Sequence, residues 1–136
     1  MQLEHEYRIG EIHAERNGGR RARMAAVRDL PLAGELVVSK EHRADVLILS
    51  LRGELDLATS ALLERELDAA EAARPARLVV DLSGLEFIDS SGLNTLMQAR
   101  KRASRNGHQL SLRQGPRIVQ RLFELTKSVA LFSFDD

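Results

Sequence analysis

The sequence predicts an α/β fold: one mixed β-sheet with helices packed mainly on one of its faces. Three observations carry this. Short apolar runs with strand character alternate with stretches of helical period. The first two runs are separated only by a polar turn, which makes an antiparallel hairpin. The later runs are separated by whole helices, which implies parallel pairs and right-handed crossovers.

The elements follow in order. Residues 1–34 lack clear apolar periodicity and hold "ERNGGRRAR" and the Pro/Gly turn "DLPLAGE". They read as a poorly ordered N-terminal arm, and the basic cluster Arg20, Arg21 and Arg23 as a solvated tail. The folded domain is expected over residues 35–136. "ELVVSKE" and "DVLILSLRGEL" are two strands joined by the turn "KEHRAD". In the second strand Val46, Ile48 and Ser50 point one way and Leu47, Leu49 and Leu51 the other. Both sides are mostly apolar, so the strand is central.

"DLATSALLERELDAAEAARP" is a helix. Leu63, Leu67 and Ala70 form its stripe, widened by Leu62, Ala69 and Ala73. Asp56 sits at its start as an acceptor for free amides, and Pro75 stops it. "ARLVVDL" is a short buried strand, "SGLEF" a turn, and the next helix begins within "IDSSGLNTLMQARKRASRNG". Leu93, Leu96, Met97, Ala99 and Ala103 mark its apolar side. Arg100, Lys101, Arg102 and Arg105 suit its C-terminal dipole, and Asn106-Gly107 closes it. "HQLSLR" is a strand, "GPRIVQRLFELT" a third helix with Pro116 in its first turn, and "VALFSFD" a final edge strand.

Composition bounds the function. The 136 residues carry 20 basic and 20 acidic side chains, so no charge excess calls for nucleic acid or a membrane surface. Cysteine is absent, which excludes disulfides, thiolate metal sites and cysteine nucleophiles. The apolar runs fall short of the about 18 residues of a membrane span, and the N-terminus has no secretory pattern. The expectation is a soluble cytoplasmic protein.

Enzymatic constellations are missing. His5, His13, His42 and His108 are scattered, with none paired to a serine. There is no G-x-S-x-G elbow, H-E-x-x-H or Walker lysine, so nucleotide hydrolysis is disfavoured as a main role. The carboxylate pairs Glu64/Glu66 and Asp135/Asp136 read as solvated charge. No cofactor or metal is expected.

What stands out is "FIDSSGLNTL" at a strand-to-helix junction. Asp89, Ser90 and Ser91 are all capping residues, yet one oxygen suffices for a cap. Gly92, lacking a side chain, reads as clearance for close approach. A phosphate on either serine would meet helix amides and dipole, while Asp89 would repel it. Such a charge changes what a partner meets without unfolding the domain. The residues alone leave the two serines equivalent.

Three stretches resemble one family. "LRGELDLATSALLERELDAA" is similar to a G-E-L-D segment followed by a helix, "RLVVDLSGLEFIDSSGLNTLMQARKRA" to a central signature, and "IVQRLFELTKSVALFSFDD" to a closing helix and strand. The family is that of the anti-sigma factor antagonists, whose domain is called STAS. The match covers about residues 35–136. The resemblance implies a STAS-type mixed sheet and a protein that is not an enzyme. It implies that the unphosphorylated form binds an anti-sigma factor that is also a serine kinase of GHKL type, releasing a sigma factor. Phosphorylation of the second serine, Ser91 here, with Ser90 as second choice, ends that binding, and a PP2C-type phosphatase resets it. Asp56, Asp89, Ser90, Gly92 and Asn94 would form the partner-binding surface, and Gly53 would allow the turn into the Asp56 loop. Asn94 stands where many members carry a small or apolar residue. The alternative is a STAS subunit of a larger assembly, a lipid-transport ABC complex or a stressosome, with the serine motif as an interface. Pairing of the exposed last strand would make a homodimer.

Overall fold

Ten residues from Val46 to Leu55 form the strand around which the sheet is assembled. The computed structural model describes residues 31–135 and the backbone of Glu6–Arg8. The elements are β1 (Glu6–Arg8), β2 (Leu36–Arg43), β3 (Val46–Leu55), α1 (Ser60–Ala72), β4 (Arg77–Ile88), α2 (Ser90–Asn106), β5 (Gln109–Arg113), α3 (Arg117–Leu125) and β6 (Ser133–Asp135). Among the described residues the sheet has six strands, ordered as in the chain. The β1/β2 and β2/β3 pairs are antiparallel, and the pairs from β3 to β6 are parallel. The sheet is thus mixed and β3 is interior, as its two apolar sides required.

The alternation of β3 sends Leu47, Leu49 and Leu51 into one core. They meet Leu62, Leu63, Leu67 and Ala70 of α1, Leu93, Leu96 and Ala99 of α2, and Val119 and Phe123 of α3. All three helices therefore cover the same face. Each fully buried leucine contributes about 1.5–3 kcal/mol relative to exposure. The centre of the opposite face is also buried, at Val37, Ile48 and Val79.

Several local expectations give way to tertiary pairing. The arm contributes a strand: Glu6–Arg8 pairs with Val37–Ser39 along the edge of β2. The rest of the expected poorly ordered arm, residues 1–5 and 9–30, lies outside the described residues, as do His5, His13 and the Arg20–Arg23 cluster. The "KEHRAD" turn shrinks to Ala44 and Asp45, because Lys40–Arg43 stay in register with β3, and Ala44 takes a positive φ of 57°. Backbone pairing outweighs their polar side chains.

The expected turn at "SGLEF" is strand. β4 runs twelve residues, and its second half follows β3 through register shifts at Ser50/Arg52 and Gly53/Glu54. A Cβ on Gly84 would lie 2.7 Å from the Leu51 carbonyl oxygen, so this glycine permits close strand approach and makes no turn. The α1 stripe is narrower than expected. Ala69 and Ala73 are exposed, whereas Glu66, read as solvated charge, is 5% exposed and ion-paired with Lys40 at 3.5 Å. Asp135 of the second carboxylate pair is salt-bridged to Arg77. Pro116 is the N-cap of α3, one position before the first turn.

The "VALFSFD" strand is also shorter. Val129–Leu131 forms a 3-10 turn, and only Ser133–Asp135 pairs with β5. Lys127 at φ 59° and the Ser128 N–H bonded to the Phe123 carbonyl reverse the chain first. Phe132 and Phe134 then pack edge-on to Phe123, with ring centroids 5.6 and 5.5 Å away.

Candidate functional site

At the C-terminal end of β4, Ile88 is the last buried strand residue and Asp89 turns the chain into α2. Asp89 has extended backbone (φ −118°, ψ −175°), as an N-cap requires. Its Oδ1 accepts the Gly92 N–H at 3.0 Å, and its carbonyl accepts the Leu93 N–H at 3.0 Å. The acid therefore performs the cap, which leaves both serine hydroxyls free of that duty. The Ser90 and Ser91 amides lie in the first turn, where no intrahelical acceptor exists. Ser90 is exposed and Ser91 half-buried. Asn94, exposed, is four and three residues further on and shares their helix face.

The second half of the site is the segment between β3 and α1. Asp56 lies in a turn that precedes the first helical residue, Ser60. Its Oδ1 accepts the Thr59 N–H at 3.1 Å and its carbonyl accepts the Ser60 N–H at 2.8 Å. Asp56 thus holds the turn ahead of α1; the N-cap is Thr59, whose side chain makes no capping bond, so the expected carboxylate cap on the free amides of α1 is not formed. Thr59 is the residue the sequence reading missed. It is completely buried; its hydroxyl donates to the Glu54 carbonyl at 2.8 Å and accepts the Asp56 N–H at 2.9 Å. Asp56 and Thr59 thus each bond the other's backbone amide, and the burial of Thr59 comes from the meeting of β3 and α1, which local spacing does not signal.

The structure joins the two halves. The Asp89 N–H donates to the Leu55 carbonyl at 3.1 Å, and Asp89 Oδ2 accepts the Leu57 N–H at 3.3 Å. Asp56, Asp89, Ser90, Ser91 and Asn94 consequently sit at one end of the sheet. Gly92 has a different role from the one expected. It is buried, and a Cβ there would lie 2.5 Å from Leu55 Cγ and 2.9 Å from the Leu55 carbonyl oxygen. Its clearance serves the packing of α2 on β3. Gly53, at φ 105°, admits the Glu35 carbonyl, which accepts the Glu54 N–H at 2.9 Å.

Apolar side chains surround this polar end. Leu57 is 76% exposed, Leu32 56% and Phe87 42%. Phe87 sits opposite Glu54 in the strand register, and the Gly34 N–H ahead of β2 donates to Glu54 Oε2 at 3.2 Å. No described histidine is near: His42 pairs with Leu47 at the start of β3, and His108 precedes β5, both at the other end of the sheet. Among the described residues no cluster of three His, Asp or Glu could hold a metal, and no helix is long and apolar enough to cross a membrane. An open cleft of about 540 Å³, lined by Glu71, Arg74, Pro75, Asn106 and His108, is also at that far end.

Known proteins point the same way. Residues 37–136 match the model of the STAS domain. The chain is 33% identical over 92 residues to an anti-sigma F factor antagonist of Paenibacillus polymyxa, covering 67% of this chain and 79% of that protein. It is 41% identical over 61 residues to the anti-sigma-F factor antagonist RsfB of Mycobacterium tuberculosis, covering 45% of this chain and 50% of that one. The crystal structure of an anti-sigma factor antagonist from Mycobacterium paratuberculosis superposes with a TM-score of 0.64 at 28% identity, over 73% of this chain and 84% of that chain. The chain belongs to the STAS-domain family of anti-sigma factor antagonists.

Proposed function

We propose that this protein is a phosphorylation-switched binding module. Its unphosphorylated form binds an anti-sigma factor that is also a serine kinase of GHKL type, and so frees a sigma factor for RNA polymerase. Phosphorylation of Ser91 ends the binding, and a PP2C-type phosphatase restores it. With such partners it would act in the cytoplasm, and it has no catalytic step of its own.

One observation carries this reading: the helix that presents Ser90 and Ser91 is already capped by Asp89, so the hydroxyls are spare, and exposed apolar side chains flank them. A phosphate there brings about −1.5 to −2 charges to a surface whose apolar part a partner must desolvate. First-turn amides and the helix dipole receive that charge, so the fold persists. The assignment to Ser91 rather than the more exposed Ser90 rests on the family.

The test is incubation with the cognate kinase and ATP, followed by mapping of the site by mass spectrometry. Phosphate is expected on Ser91. Ser91→Ala should take up none and remain bound to the kinase in the presence of ATP. Phosphate on Ser90 alone would move the assignment, and none on either serine would overturn it.

A further inference from the structure

We propose that Asp89 couples the charge state of Ser91 to the segment between β3 and α1, and that Leu57 on this segment is the apolar anchor that the kinase partner engages. This rests on the function proposed above.

The geometry is that of one carboxylate shared between two elements. Oδ1 holds the Gly92 amide inside α2 at 3.0 Å, while Oδ2 holds the Leu57 amide, 32 positions earlier in the chain, at 3.3 Å. The remaining hydrogen bonds of the segment are local: Asp56 and Thr59 bond to each other, Thr59 to Glu54, and the Ser60 hydroxyl donates to the Leu57 carbonyl at 3.3 Å. Leu57 itself is fixed to the serine helix only through Asp89 among the described side chains. Its own side chain is 76% exposed, the most exposed large apolar residue described. An exposed apolar side chain beside charged and hydroxyl groups gains most from burial in a partner's pocket.

A phosphate two residues beyond Asp89 acts on this arrangement in two ways. Its charge repels the Asp89 carboxylate. Its oxygens also compete for the first-turn amides that the carboxylate now shares. The Leu57 bond is the longer of the two and lies outside the helix, so it yields first. Ser91 phosphorylation then changes two things at once: the charge facing the partner and the fixation of the anchor.

Asp89→Asn separates the cap from the link. Asparagine caps helices as well as aspartate, but it has one acceptor oxygen, which the Gly92 amide occupies, and its amide nitrogen cannot accept from Leu57. Amide hydrogen exchange at Leu57, read by NMR on the isolated full chain, needs no partner. Exchange about tenfold faster is expected in protein carrying phosphoserine at position 91 and in Asp89→Asn, with core amides of β3 unchanged. Unaltered Leu57 exchange in both would overturn the coupling. In a second arm, binding to the purified cognate kinase should weaken about tenfold for Leu57→Ala. Leu125→Ala, 68% exposed on α3, should stay within about twofold. Equal affinity of Leu57→Ala and the unaltered protein would overturn the anchor while leaving the proposed function standing. Failure of the unaltered protein to bind the kinase would overturn that function, with the exchange experiment still deciding the coupling.

Discussion

At its start α2 meets β3 through Gly92 against Leu55; at its end it meets α1 through Arg102 and Glu71. The first contact is apolar and close, with no room for a methyl group. The second is a paired charge, Arg102 Nε and a terminal nitrogen donating to the two Glu71 oxygens at 2.9 and 3.1 Å. The glycines at the two ends differ likewise. Gly92 is there for space. Gly107, at φ 80° with open space where a side chain would begin, is there for backbone conformation. The far end also has the cleft of about 540 Å³ and His108, whose ring nitrogens are buried without a hydrogen-bond partner among the described residues. Yet the capped, spare hydroxyls and the presented leucine are at the near end.

Breaking the core under each end is the largest test. Leu55→Ala and Leu78→Ala remove completely buried side chains at the near and far ends. Each should lower unfolding free energy by about 2–5 kcal/mol in urea titrations. Only Leu55→Ala should also speed amide exchange in the first turn of α2. Equal exchange in the two variants would break the claim that the near end is held through Leu55.

The glycines give a smaller contrast. Gly92→Ala should cost about 1–3 kcal/mol through overpacking. Gly107→Ala should cost about 1 kcal/mol through its left-handed backbone alone. Thermal denaturation checks both, and a neutral Gly92→Ala would show that Leu55 yields easily.

The smallest effect belongs to the far-end ion pair. A double-mutant cycle of Arg102→Ala and Glu71→Ala should give a coupling of about 1 kcal/mol, weakened by salt. The hydrogen bond from Arg102 to Glu71 raises the guanidinium above its ordinary value. From the arginine side, the stabilisation is thus complete below the unfolded value and fades only as pH climbs through the folded one. Across neutral pH the coupling should be flat from that cause.

Much of this was legible in the chain. Period-two and period-3.6 patterns identified β2, β3 and all three helices, and "DSSG" identified a capped junction. The misreadings share a cause. Ser83-Gly84 looked like a turn because local composition carries no trace of the neighbouring strand that Gly84 accommodates. Glu66 looked solvated because its partner Lys40 lies on a different element, β2. Thr59 was overlooked because its burial depends on how β3 and α1 meet.

The sequence by itself determined the three helices and the cores of β2 to β5, which faces are apolar, and that an acid and two hydroxyls share one helix start. Those are properties of short-range spacing. Only the tertiary structure decided that Asp89 is the one of the three that caps, that Gly92 faces Leu55, and that Leu57 is bound to the serine helix. The last two depend on atoms more than thirty residues apart coming within hydrogen-bond or contact distance, and no local pattern encodes such a meeting.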